Sequence, residues 1–290
     1  MKDTNKISRR TFLTAAGLTA AASLLSACGA ASSAAASAGA AAGSAASAAA
    51  DGDWAYISGK GKLLIGVTQY DPMNYLEADG VTWTGFDTEM AQAACKKLGL
   101  EPVFQEIDWD NKVIELDAKS IDCIWNGMTI TDELAKSIDF SLSYSGNMQV
   151  CVISSANKDK FKDAASINAA GVQIGAEAGS AGEAAVSANF PNAAYTAVNA
   201  QRDCLLELKS GTLDVGVLDY VMAVTMTGDG TDYADLMIVD GLELSKEEFA
   251  VGLRKGSDFT AKLNDTLQAL KDDGTVDALA KKYPSVMVTL

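Results

Sequence analysis

The sequence predicts an α/β protein made of two units, and three observations carry that reading. Strand-like and helix-like stretches alternate along the chain. The alternation halts at one polar break and then restarts. Beyond the first fifty or so residues the chain is also long enough to bury two separate cores.

The elements follow in order. Lys62–Val67 is a short apolar run rich in branched residues, which reads as a buried strand. Residues 87–98 read as a helix with Met90, Ala91, Ala94 and Leu98 on one face, stopped by Gly99. A strand at 103–106, a helix at 109–118 and a strand at 121–125 complete the first unit. The break is Ser143-Tyr144-Ser145-Gly146-Asn147. Strands at 149–154, 172–176 and 214–218 follow, with helices near 183–188 and 202–208. After Val239-Asp240-Gly241 comes a last strand at 249–253. Leu263, Leu267 and Leu270 line one closing helix, which ends near Asp273-Gly274, and 276–283 forms another. Repeated strand–helix–strand order implies a mostly parallel sheet with helices on its faces.

The N-terminus reads as an address. Lys2, Lys6, Arg9 and Arg10 precede an apolar run at 12–25 that is too short for a stable membrane span. Leu25-Ser26-Ala27-Cys28 resembles a bacterial lipobox, which makes residues 1–27 a lipoprotein signal and Cys28 the acylated residue. Ser8-Arg9-Arg10-Thr11-Phe12-Leu13 resembles a twin-arginine export signal, and the general secretory route stays open beside it. Residues 29–50 are Ala, Ser and Gly alone, so 28–52 reads as a tether that buries too little apolar surface to fold.

Composition excludes several classes. The formal charge is −15, and losing Lys2, Lys6, Arg9, Arg10 and Asp3 with the leader makes it −18. Such acidity argues against nucleic acid. The absence of histidine removes imidazole bases, the usual serine triad and most zinc sites. Cys95, Cys123, Cys151 and Cys204 stand far apart in apolar stretches and read as buried free thiols, with no metal or disulfide implied by their spacing. No nucleotide-binding or nucleophile-elbow glycine pattern occurs, and no cofactor is expected.

Candidate chemistry gathers at strand ends, where ligands bind in open α/β sheets. Three such ends are polar: Tyr70-Asp71-Pro72, the run from Asn126 to Thr131, and Gly179-Ser180-Ala181-Gly182-Glu183. Ser180 and Glu183 have capping-box spacing, which leaves the Ala181 and Gly182 N–H groups at a helix start. A plain turn would read the same way.

With these residues in view, the chain resembles the polar-amino-acid solute-binding proteins of ABC importers over residues 60–285. Gly85-Phe86-Asp87-Thr88-Glu89-Met90-Ala91 is similar to the start of that family's first helix. The run Asp122 to Thr131 is similar to its central binding strand. Phe249 to Lys255, and Asp273-Gly274 through Lys282-Tyr283, are similar to its closing elements. The resemblance implies a two-lobed periplasmic-binding-protein fold of type II, with two α/β domains joined by hinge strands near Ser145 and Asp240. Lobe 1 would be 53–146 with 240–290, and lobe 2 would be 147–239. It also implies a monomer on the extracytoplasmic face, a small solute as ligand and a membrane permease as partner. Asp219 would meet the solute ammonium, Tyr70 would pack on the solute, and Trp109 would form a wall. Asn126, Gly127 and Thr129 would offer strand-end groups.

Two positions depart from the family. An arginine that forks onto the solute carboxylate is expected three residues after Thr131, where this chain has Leu134; a loop hydroxyl is replaced by Ala181. Glu177 stands where a neutral residue is usual. Two ligand readings follow. One is a cationic, carboxylate-poor solute opposed by Asp219 and Glu177. The other is an ordinary amino acid held by the helix N-terminus and the Ser180 hydroxyl. Two other classes remain: a dehydratase-like enzyme on the same fold, with Glu177 as its acid, or a sensor for a signalling receptor.

Overall fold

The structure is a computed structural model that describes residues 52–290. The expected leader, the Cys28 lipidation site and nearly all of the tether lie outside the described residues. Among the described residues, no helix is long and apolar enough to cross a membrane.

The chain enters through helix α1 (Asp53–Gly59), which no sequence pattern marked, and strand β1 (Lys62–Val67). A separate hairpin, β2 (Tyr75–Leu76) with β3 (Trp83–Thr84), precedes α2 (Phe86–Leu98). Gly99 ends α2 in the left-handed conformation, φ 71°, that side chains resist. Next come β4 (Glu101–Glu106), α3 (Lys112–Asp117), β5 (Cys123–Thr129), α4 (Leu134–Ser137) and β6 (Ile138–Phe140). β7 (Ser145–Ser154) leads into α5 (Ala164–Ile167), β8 (Gln173–Glu177), α6 (Ala181–Asn189), β9 (Ala194–Val198), α7 (Gln201–Ser210), β10 (Val215–Asp219) and α8 (Tyr220–Met226). β11 (Leu236–Arg254), α9 (Phe259–Asp272), α10 (Thr275–Lys282) and β12 (Met287–Val288) close the fold.

The main sheet runs in the order β4-β1-β5-β11-β7-β10-β8-β9. β4, β1 and β5 are mutually parallel, as are β10, β8 and β9, so each flank has the expected strand–helix–strand winding. Between the flanks, β7 and β11 pair antiparallel from Leu236↔Ser154 to Phe249↔Ser145. Helical faces fit the sequence pattern: Met90, Ala91 and Ala94 of α2 and Leu263, Leu267 and Leu270 of α9 are buried. One core cluster holds Phe161, Ile174, Phe190 and Val215 on the second flank, and another holds Leu116, Ile121, Ile124 and Met128 on the first. Each such side chain contributes about 1.5–3 kcal/mol by leaving water.

Three expectations need correction. The helix at 109–118 is a 3-10 turn, Trp109–Asn111, followed by the short α3, because the Asp108 side chain accepts the Asp110 N–H and tightens the entry. The strand expected to stop at 125 runs to Thr129, since Met128 and Thr129 pair with Ala250 and Phe249 across a bulge. The last strand is 19 residues long, because its mostly polar middle is held by pairing with β7 and by Leu242 and Leu244 packing on the core of the second flank.

At the end of β5 away from that bulge lies a buried ion network. Asp122, fully buried, accepts hydrogen bonds from Lys60 Nζ (2.6 Å) and the Leu64 N–H (2.8 Å). Arg254 reaches Asp53 at 2.7 Å and donates to the Ile121 carbonyl at 2.8 Å. Removing one partner of a buried pair leaves the other uncompensated. Asp122→Ala is therefore expected to destabilise the fold by about 3 kcal/mol in urea unfolding. A loss well under about 1 kcal/mol would contradict this reading of the network.

Candidate functional site

The carboxyl ends of β1, β5, β8 and β10 converge on a cavity of about 410 Å³ between the two flanks of the sheet. All eight residues singled out in the sequence line it. Tyr70, Trp109, Asn126, Gly127 and Thr129 come from the first flank, and Glu177, Ser180 and Asp219 from the second.

Asp219 ends β10 and precedes α8, but its side chain does not cap that helix. Its carboxylate instead accepts hydrogen bonds from Asn147, Gln149 (2.6 Å) and Gln201. Burial, with the Glu247 carboxylate beside it, pushes Asp219 up to about 7. Glu177, at the end of β8, is pushed up to about 8 by burial and by the charge of Asp219, against the opposing pull of Lys112. Its Oε1 has no hydrogen-bond partner. The buried Tyr70 hydroxyl, in the field of Asp219, is also without one.

Other side chains are already committed. Asn126 Nδ2 donates to the Thr68 carbonyl (3.0 Å) and to Asn74 Oδ1 (2.8 Å), which fixes the strand end and leaves no free amide for a solute. Thr129 Oγ1 donates to Glu247 at 2.9 Å. The Ser180 hydroxyl donates to the Glu177 carbonyl (2.7 Å) and accepts the Glu183 N–H (3.2 Å), so it caps α6 and is not directed into the cavity. Glu183 completes the cap by accepting the Gly179 N–H at 2.7 Å.

Gly127 shapes the wall. Its φ of +53° is left-handed, and a Cβ there would stand 2.5 Å from Tyr70 Cε1. Its N–H donates to Asp87 Oδ2 at 2.7 Å, and the Tyr144 hydroxyl donates to the same oxygen at 2.8 Å. Burial pushes Asp87 up to about 7.

Sequence reasoning missed Lys112, Gln149 and Gln201, which also line the cavity. Lys112 is 4 % exposed, and its ammonium donates to the carbonyls of Trp109 (3.1 Å) and Gly179 (2.7 Å) while lying 4.8 Å from the Trp109 ring centre. Nothing in the sequence signalled this, because lysines on short amphipathic helices normally face water. Lys112 to Gly179 bridges the two flanks at the cavity, and Arg202 Nη1 to Gln69 (2.7 Å) bridges them outside it.

Two α/β flanks facing each other across one strand-end cavity define a solute-binding protein. The chain belongs to the bacterial extracellular solute-binding proteins, family 3, whose model matches residues 63–285. It is 30 % identical over 230 residues to the arginine-binding extracellular protein ArtP of Bacillus subtilis, covering 78 % of this chain and 87 % of that one. It is 29 % identical over 235 residues to the L-cystine-binding protein TcyJ of Escherichia coli K12, with 80 % and 86 % covered. An amino acid ABC transporter substrate-binding protein from Streptococcus pneumoniae, solved with L-arginine, matches with TM-score 0.72 at 27 % identity, over 82 % of this chain and 100 % of that one.

The buried acids set a pH dependence. The chain has no histidine. Asp87, Asp219 and Glu177 keep protons in the fold that the unfolded chain has already lost between their ordinary carboxylate range and pH 7–8. Stability from these groups is therefore complete at low pH and lost as pH rises through 7–8. The solute-free protein is expected to melt at a higher temperature at pH 5 than at pH 8, with a smaller difference in Asp87→Asn. Thermal melts that rise from pH 5 to pH 8 would refute this assignment.

Proposed function

We propose that this protein captures an amino acid or closely related small solute outside the cytoplasm by closing two lobes, and delivers it to the permease of an ABC importer. The observation that carries this reading is the facing of Tyr70 and Asp219 from opposite flanks across one cavity. Lobe 1 is 53–146 with 240–290 and lobe 2 is 147–239, hinged where β7 and β11 cross. Relatives named for arginine and cystine support an amino-acid-like solute.

In this mechanism the open lobes admit solute, Tyr70 and the hydrocarbon of Leu134 cover it, and Asp219 accepts its ammonium. Closure brings the loop after β8 against the turn before α3. A Cβ on Gly179 would lie 2.7 Å from Asp110 Oδ1, so glycine permits that approach. Closure is favoured only as far as the solute binds the closed state better than the open one. A lipid on Cys28, followed by the tether, would hold the domain at the membrane near its permease.

Small-angle scattering should show a smaller radius of gyration on adding the bound solute, and an unchanged radius with every amino acid and amine tried would sink lobe closure. Asp219→Asn should weaken solute binding at least tenfold by calorimetry, with a cooperative melt at pH 5 showing that the fold is retained. Cys28→Ser should move the protein from the membrane fraction to the soluble fraction, and continued membrane partition would exclude the lipid anchor.

A further inference from the structure

We infer that the cavity is built for a compact organic cation, an amine without a carboxylate, in preference to a zwitterionic amino acid. This rests on the solute-capture reading and narrows it to a ligand class. Glu177, Glu183 and Asp219 line the cavity, with Glu133 at its exposed rim paired to Lys136, against Lys112 as the one basic residue among the lining. Lys112 is not free to attract an anion. It already donates to two carbonyls, and burial lowers its tendency to hold charge.

An acidic lining alone would not identify a ligand. The second observation is that Glu177, 3 % exposed, has a carboxylate oxygen with no hydrogen-bond partner. Tyr70, 2 % exposed, sets its hydroxyl toward Asp219 from the opposite flank. Buried polar atoms in native proteins find partners. A protonated amine supplies N–H donors to Glu177 and Asp219 together and offsets their mutual repulsion, while Tyr70 presents both a ring and an acceptor oxygen.

A carboxylate would meet the opposite environment. The first turn of α6 would be its natural seat, but Glu183 lies in that turn with its carboxylate on the Gly179 N–H. The Ser180 hydroxyl is spent on the Glu177 carbonyl. Leu134 adds hydrocarbon to the lining, not a cation. A second anion beside Glu177 and Glu183 is repelled in a cavity where water screens weakly.

Matched pairs that differ in one carboxylate test this: lysine and cadaverine, ornithine and putrescine, arginine and agmatine, each titrated into the purified protein by calorimetry. In at least one pair the amine should bind tenfold or more tightly than its parent. Glu177→Gln should cost that amine at least tenfold while still melting cooperatively at pH 5, where the wild-type carboxyl already holds its proton, and Leu134→Arg should shift preference back toward the parent amino acid. A parent that binds as well as its amine in every pair overturns the inference, as does failure of all three amines to bind at millimolar concentration. If an amino acid closes the lobes and no amine binds more tightly than its parent, solute capture stands and only the amine assignment falls. If no solute of either kind produces closure, capture itself falls.

Discussion

The antiparallel pairing of β7 with β11 governs the rest of the structure. Among the described residues, these two strands alone are shared by both flanks of the sheet. Each flank carries its own parallel strands and core residues, yet neither owns the central pair. Relative movement of the flanks therefore has to be absorbed by twist or bending in β7 and β11. The register slips twice between Ile238 and Ser245, so the ladder is interrupted there, although Val239, Leu242 and Leu244 still pack on the core of the second flank.

The cavity is also an electrostatic construction. Water would hold Glu177, Asp219 and Asp87 ionised at neutral pH. Burial shifts all three upward, and fixed amides and hydroxyls replace only part of the lost hydration. Asp219 gains three amide donors, and Asp87 gains one backbone N–H and the Tyr144 hydroxyl. Asp87 and Glu177 each leave one oxygen unpaired, but Asp87 accepts two hydrogen bonds on the other, which makes Glu177 the least compensated. That ranking separates roles: Asp87 braces the Gly127 bulge from behind, Asp219 is a rigid acceptor, and Glu177 has the most to gain from an incoming donor.

The sheet's winding, the helical faces and the strand-end residues were legible because each leaves a local signature: a branched apolar run, a 3.6-residue stripe or a polar cluster after a strand. Tyr70, Asn126, Gly127, Thr129 and Ser180 stand in those strand-end clusters, whereas Trp109, Glu177 and Asp219 were indicated by the family resemblance; all eight line one cavity. The length of β11 was not legible. Asp240 to Glu248 is mostly polar, with only the short alternation Leu242-Glu243-Leu244, and pairing with β7 extends it into one long strand. The burial of Lys112 and the amide fence of Asn147, Gln149 and Gln201 were equally hidden, since polar residues on strands and helices normally point to water. Ser180 shows the converse. Its capping spacing was read correctly, and the cap itself consumes the hydroxyl that the carboxylate-binding reading needed.

The amide fence ties the site to the hinge. Asn147 and Gln149 belong to β7, Glu247 to β11 and Asp219 to β10. Both amides donate to Asp219 and also to Glu247 Oε2, at 3.1 Å each. Thr129, at the end of β5, donates to the same Glu247 oxygen. One hydrogen-bonded cluster thus joins the acceptor proposed for the solute, both crossing strands and the binding strand of the first flank. Rotating one flank against the other would change the Thr129 and Glu247 contacts and the Asn147 and Gln149 contacts together, because they share one carboxylate. Asp219 therefore does not sit on the second flank as an independent group. Its position is fixed by the strands proposed as the hinge, so in that mechanism the geometry around the solute and the angle between the flanks are two readings of a single network.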